Sequence, residues 1–284
     1  MAERNILNRN NIKRNEIIKM GRSIYCGEMY DHVYDMDNYI IDISGDKKDG
    51  LCVVYCSSSG LYYPNTKDEF KRVFIDHQDR FEWRNHRIRG AAKTIWIRDI
   101  TKEFYVKGIN SRINNIDKLI GFLKEQVNGY ELITVGSSGG GYIAALLGCV
   151  LNAKKVYCFS GFFNLNIIDQ DTWPLIFELG NFDEYNKWYR IDKLIEKSVT
   201  EIFYFYPCLL QDDCKQASFV EKLENVRTFC FKSSIHGIPF RDKFHIPVLN
   251  RVLNLPQERL RKLHSHYNKK YISEIGWAFK VFLK

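Results

Sequence analysis

Within this chain of 284 residues, the residue type and spacing that most clearly point to chemistry centre on Ser138, in Gly136-Ser137-Ser138-Gly139-Gly140. A serine with glycine two positions away on each side satisfies G-x-S-x-G, in which a sharp turn lifts the hydroxyl clear of the chain for attack on a carbonyl carbon. The glycines are required because the serine backbone is strained and a side chain two residues away would collide with the turn. Ser137 is the neighbouring alternative, but it leaves the glycine spacing unsatisfied. A neutral serine hydroxyl is a poor nucleophile, so a base must take its proton and a carboxylate must hold that base in one tautomer. Phosphate-loop chemistry is excluded by spacing: no Lys follows as G-x-x-x-x-G-K-[ST] demands, and G-x-G-x-x-G is not met.

The elements that would position Ser138 follow from the periodicity around it. ELITVG (131–136) reads as a strand and the Ala/Leu-rich run after the glycines as a helix. The helix aims its N-terminal amides at the serine, where they favour the negative charge of an acyl-transfer intermediate. KKVYCFS (154–160) is the next strand, and strand, helix, strand is a parallel unit. Upstream, IIDIS (40–44) and LCVVYC (51–56) read as neighbouring strands joined by a hairpin at GDKKDG, TIWIRD (94–99) as another apolar run, and IDKLIGFLKEQV (116–127) as an amphipathic helix. Downstream, EIFYFYP (201–207) and VRTFCFKSS (226–234) are the last strands, ASFVEKLEN between them is helical, and the chain from 251 onward closes with helical character. The expected class is α/β, a three-layer sandwich with a mostly parallel central sheet. One domain over 1–284 is expected, with a polar N-terminal extension, 1–38, and an aromatic-rich helical insertion, 161–200, as a possible cap.

From about residue 40 to residue 239 the chain resembles the α/β-hydrolase superfamily. That resemblance implies the chain order serine, acid, histidine, which leaves His236, His245, His264 and His266 as bases. His236, in SSIHGIP, directly follows the last strand and so falls at the carboxyl edge of the sheet beside the elbow. His245 needs a longer excursion, and His264 and His266 lie in RKLHSHYNKK, a basic stretch expected to be exposed. The acid should follow the preceding strand, where QDD supplies Asp212 and Asp213; Asp213 is preferred, although spacing separates the two poorly, and Asp169 and Asp171 are the outside alternatives. For the oxyanion hole, Gly139 supplies one amide, and the loop Cys56-Ser57-Ser58-Ser59-Gly60 offers the amide of Ser57 or Ser58 as the second.

More narrowly, GSSGGGYIAALLG, the QDD loop and the late His236 are similar to bacterial capsular-polysaccharide O-acetyltransferases of α/β-hydrolase fold, of the meningococcal serogroup A type. This resemblance implies acetyl-CoA as co-substrate, an acetyl-enzyme on Ser138, Asp213 and His236 at the other triad positions, and a polysaccharide or oligosaccharide hydroxyl as acceptor. No bound cofactor and no metal are expected. A carboxylesterase or thioesterase would use the same triad with water as acceptor. Aromatics between 162 and 189 can stack on sugar rings and exclude water, and surplus basic charge can hold the phosphates of coenzyme A.

Composition bounds the rest. Hydrophobic residues make up 45% and charged residues 27%, as in a globular chain. The net charge of +8, with a pI near 8.9, is spread along the sequence without a nucleic-acid-binding motif. No apolar run reaches the roughly 20 residues of a membrane span. The opening MAERNILNRNNIKRNE lacks the apolar stretch of a signal peptide, so a cytoplasmic location is expected. The eight cysteines include no C-x-x-C pair and read as reduced, mostly buried thiols.

Overall fold

The computed structural model describes residues 27–45, 50–76, 79–169, 172–240, 245–268 and 270–283. Seven strands form its sheet: β1 Tyr39–Ile43, β2 Leu51–Cys56, β3 Ala91–Ile97, β4 Glu131–Ser137, β5 Lys155–Phe159, β6 Glu201–Pro207 and β7 Val226–Phe231. They lie in the order β1-β3-β2-β4-β5-β6-β7, parallel throughout except for β1, which runs antiparallel to β3. The inner strands are apolar at successive positions because both faces of the sheet are covered. Along β2, Cys52, Val54 and Cys56 enter one core while Val53 and Tyr55 enter the other. Helices Ile116–Val127, Gly139–Val150 and Asp192–Glu196 pack on the first face, and His245–Leu253, Gln257–Tyr267 and Glu274–Phe282 on the second. The three-layer sandwich expected from the alternation of strand and helix is the architecture observed.

Three local expectations are corrected. The first two strands do not form a hairpin, because β3 lies between them, pairing Tyr39 with Ile97 on one side and Cys56 with Ile97 on the other. Burial explains the placement: β2 is buried from Cys52 to Cys56 and belongs inside the sheet, whereas Asp42 and Ile43 of β1 are exposed and suit an edge. Most of the GDKKDG turn, residues 46–49, lies outside the described residues. The helix between β6 and β7 spans Gln211–Ser218, earlier than ASFVEKLEN, and has Asp212 and Asp213 in its first turn, where carboxylates favour the helix dipole. Residues 219–225 instead make the return to β7, fixed by Asn225, whose side-chain amide donates to the carbonyls of Ile195, Ser198 and Thr200. His264, expected at the surface, is half-buried edge-on to Phe229.

Residues 1–26 lie outside the described part of the chain, Cys26 with them. The remainder of the N-terminal extension is less polar in its packing than in its composition: helix Glu28–Asp35 lays Tyr30 and Val33 against Phe70 and Phe74 in a small separate core. The segment 161–200 carries a 3-10 turn, Leu165–Ile167, and the short helices Pro174–Leu179, Asp183–Asn186 and Asp192–Glu196. Cys52, Cys56, Cys149 and Cys158 are buried free thiols, and Cys208, Cys214 and Cys230 are half-buried. Among the described residues no helix is long and apolar enough to cross a membrane.

Candidate active site

Ser138 sits between the end of β4 and the start of helix Gly139–Val150, with φ 55° and ψ −123°. A non-glycine residue in so sparsely populated a conformation costs on the order of 1–3 kcal/mol, so the surroundings must impose it. The Ser138 amide donates to the Phe159 carbonyl at 2.8 Å, and its own carbonyl accepts from the Tyr142 amide at 3.1 Å. Glycine is needed on both sides: a Cβ at Gly136 would overlap the Gly140 carbonyl, and one at Gly140 would overlap the carbonyls of Cys56 and Ser57. A strained serine thus stands on a strand-to-helix turn in the middle of a mostly parallel sheet. This is the α/β-hydrolase fold.

The structure brings Ser138, His236 and Asp213 together. Ser138 Oγ lies 2.9 Å from His236 Nε2, and His236 Nδ1 lies 2.9 Å and 3.2 Å from the two carboxylate oxygens of Asp213. A carboxylate can only accept, so Nδ1–H donates to Asp213 and Nε2 accepts from the Ser138 hydroxyl. The Asp213 side chain is 5% exposed and that of His236 39%. Gly237 follows with φ 99°, a turn that seats the imidazole against the sheet edge, and the Phe162 ring meets His236 edge-on at 5.9 Å.

The other candidates fall elsewhere. The Asp212 side chain is 85% exposed beside Lys215, because successive helical residues point about 100° apart and only one of the pair can face the histidine. Asp169 accepts from the Thr172 amide in a neighbouring cleft. His266 is exposed near Lys270 and Lys280, whose charges lower its pKa. Asp171 and the side chain of His245 lie outside the described residues.

The loop after β2 requires a correction. The Ser57 amide donates to the Ile97 carbonyl at 3.0 Å, continuing the sheet, and the Ser58 amide donates to Glu82 at 2.6 Å. Neither is available to an oxyanion. The next amide, that of Ser59, lies 3.8 Å from where a Cβ of Gly139 would stand. Ser58 Oγ is shared between Glu82 and the Gly60 amide, and Tyr105 donates to the Ser57 carbonyl at 2.8 Å, so the loop is braced from both ends.

Two clefts meet at the histidine. One, about 660 Å³, has Ser59, Arg80, Glu82, Arg84 and Ser138 in its wall. The other, about 670 Å³, presents Ile167, Asp169, Gln211, Asp212 and Gln216. Phe162, Trp173 and His236 line both and form the partition. The segment RFEWRNHRIRG, which carries Glu82, showed no periodicity to mark it as functional. Its one local signal is compositional, arginines interleaved with Trp83, a residue that takes φ 70° in the fold.

No family model and no curated protein matches the chain. Among solved structures, it is similar to a protein of unknown function from Staphylococcus aureus subsp. aureus Mu50, at 12% identity over 80% of this chain and 94% of that one, with a TM-score of 0.46. It is likewise similar to the capsule O-acetyltransferase of Neisseria meningitidis serogroup A, at 14% identity over 69% and 84%, with a TM-score of 0.48. A lipase-esterase related protein from Clostridium acetobutylicum ATCC 824 matches at 12% identity over 80% and 99%, with a TM-score of 0.43. These likenesses are loose, and the fold rests on the strand order and the turn at Ser138.

Proposed function

We propose that this protein is a serine acyltransferase that carries acetyl groups from acetyl-CoA to hydroxyls of a bacterial surface polysaccharide, with Ser138, His236 and Asp213 as its triad. The observation that carries the reading is the pair of 2.9 Å contacts linking Ser138, His236 and Asp213. His236 takes the Ser138 proton as Oγ attacks the thioester carbonyl, and the Gly139 and Ser59 amides hold the resulting oxyanion. Collapse breaks the carbon–sulfur bond, the thiolate leaves with the proton from His236, and an acetyl ester remains on Ser138. In the second half His236 takes a proton from a sugar hydroxyl, whose oxygen attacks the ester; collapse returns that proton to Ser138 and releases the acetylated sugar. Asp213 holds the imidazole in the donating tautomer and stabilises the imidazolium in each half.

Transfer is favoured over hydrolysis in this reading by the two clefts that meet at His236, one able to hold the donor while the other holds the acceptor. The partition residues Phe162 and Trp173 offer aromatic faces to a sugar ring. The alternative is a carboxylesterase or thioesterase acting on a small acyl ester, and the partly exposed His236 supports it, since water can reach the imidazole. Incubation of the purified protein with labelled acetyl-CoA, with and without bacterial capsular polysaccharide, decides between them. Label appearing in the polymer supports transfer; free acetate released at one rate in both samples overturns it.

A further inference from the structure

Beside the catalytic cleft lies a second concavity of about 480 Å³ whose wall includes Arg87, Arg89, Arg251, Asn250, Asn254 and Phe282. Asn85 lines both, so the two spaces adjoin, and Arg84 stands on the catalytic side of that boundary. Several arginines elsewhere in the fold are matched by carboxylates, Arg98 by Asp79, Arg112 by Asp37, Arg190 by Asp192, and Arg227 and Arg261 by Glu201, while Arg80 and Arg259 donate to backbone carbonyls. Among the described residues Arg84, Arg87, Arg89 and Arg251 have no such partner, and no carboxylate lines this concavity. Gathering unmatched guanidinium groups around a hollow raises a positive potential that an anion would relieve.

The arrangement is also held in place. Arg87 stacks 4.5 Å above the Trp96 ring, which Arg84 shares at 5.3 Å, and its guanidinium donates to the carbonyls of Arg84 and His86. Asn254 clamps this segment to helix His245–Leu253, donating to the Arg87 carbonyl at 2.9 Å and accepting from the Arg89 amide at 2.7 Å. His86 and Asn250 add a contact of 2.8 Å. A planar guanidinium fixed like that of Arg87 suits the oxygens of a phosphate group better than a mobile lysine does.

We propose that the hollow lined by Arg87, Arg89 and Arg251 binds the phosphate groups of the acyl donor's nucleotide, with the donor's arm passing Asn85 and Arg84 to reach Ser138. This rests on the reading of the protein as an acyltransferase using a coenzyme A thioester. The cleft on the far side of His236 carries Asp169 and Asp212, which disfavour a polyanion and leave that side to a neutral sugar.

The test uses full-length protein carrying Ser138→Ala, so that nothing turns over, titrated calorimetrically with adenosine 3′,5′-bisphosphate and with coenzyme A. The same titrations follow in that background with Arg87→Gln and Arg89→Gln added. We expect the double arginine change to weaken both ligands at least tenfold, wild-type binding to fall with added salt, and, in the active protein, KM for acetyl-CoA to rise with kcat little altered. Melting temperature of the titrated variant, and fluorophosphonate labelling of the same arginine changes in protein that retains Ser138, report whether the fold survives; if it does not, Arg251→Gln alone serves in their place. Equal affinity for the bisphosphate with and without the arginines overturns the inference, as does loss of binding to an anionic polysaccharide while bisphosphate binding survives. Failure of the donor reading looks different: intact-mass spectrometry finds no acetyl on Ser138 after acetyl-CoA, whatever the bisphosphate does.

Discussion

The Ser58 amide donates to the Glu82 carboxylate across 2.6 Å, and that bond takes the Ser58 N–H out of the donors available beside Ser138. Glu82 fixes this loop through both the amide and the hydroxyl of Ser58, and under the proposed mechanism it acts as a positioning residue. Glu82→Ala should lower kcat about 10–100-fold on a small acetyl ester, less than the roughly 10²–10³ that losing an oxyanion donor costs. KM should change little. Glu82→Gln, which keeps an acceptor for the Ser58 amide, should recover most of the loss in the same steady-state assay.

Strain at Ser138 separates two nucleophile deletions that look alike in activity. Both Ser138→Ala and Ser138→Gly should abolish acyl-enzyme formation, read as lost labelling by a fluorophosphonate. Alanine keeps the penalty of the left-handed backbone and glycine does not, so the glycine variant should be the more stable by about 1 kcal/mol in urea denaturation. Equal stability would show that the turn is not strained.

The aspartate pair is resolved by substitution. Asp213→Asn should reduce kcat by about 10³–10⁴-fold, since an amide no longer holds the imidazole in the donating tautomer. Asp212→Asn, at an exposed side chain, should stay within twofold. Steady-state kinetics on both variants checks the assignment.

What the sequence disclosed and what it concealed divide along a physical line. Ser138, the strands flanking it and His236 just past β7 were legible because period, glycine spacing and strand ends are local signals. The choice between Asp212 and Asp213 was not, because it depends on how helix Gln211–Ser218 is rotated about its axis, which packing sets and spacing does not. The fate of the loop after β2 was hidden for a related reason: Ser57 and Ser58 lose their amides to Ile97 and Glu82, partners 40 and 24 residues away. The pairing of β1 with β3 is likewise a contest between strands for the edge, decided by burial across the whole sheet.

Close approach makes Gly140 intolerant of change. Gly140→Ala would drive a methyl into the carbonyls of Cys56 and Ser57 and force helix Gly139–Val150 away from β2. A loss of several kcal/mol, within the tail of severe point substitutions, is expected, with most of the protein recovered insoluble. Gly121→Ala, where a Cβ meets open space, is the matched control and should leave the melting temperature unchanged or slightly raised.

Buried thiols contribute to the alkaline limit of stability, alongside buried tyrosines raised by the same burial. Burial pushes Cys52 up to about 12 and Cys149 up to about 11. In the unfolded chain these thiols ionise near 9, so their contribution is complete below that pH and is lost as pH rises toward 11–12. Lys102 and Lys155, drawn down to about 8 by burial, act in the opposite sense between about 8 and 10.5. Replacing Cys52 and Cys149 with alanine should therefore flatten the alkaline fall by up to about 1.4 kcal/mol per pH unit for each thiol, measured by urea denaturation under reducing conditions.

Helix Gly139–Val150 is buried from its first residue to Cys149 and opens on three glycines. A segment of 12 residues with that composition has little tendency to be helical in water, so it acquires its shape only by docking on a finished sheet. The posture of Ser138 is therefore a property of the whole cooperative unit. A partly folded chain holding only the upstream strands would lack the turn that holds Ser138 at φ 55°.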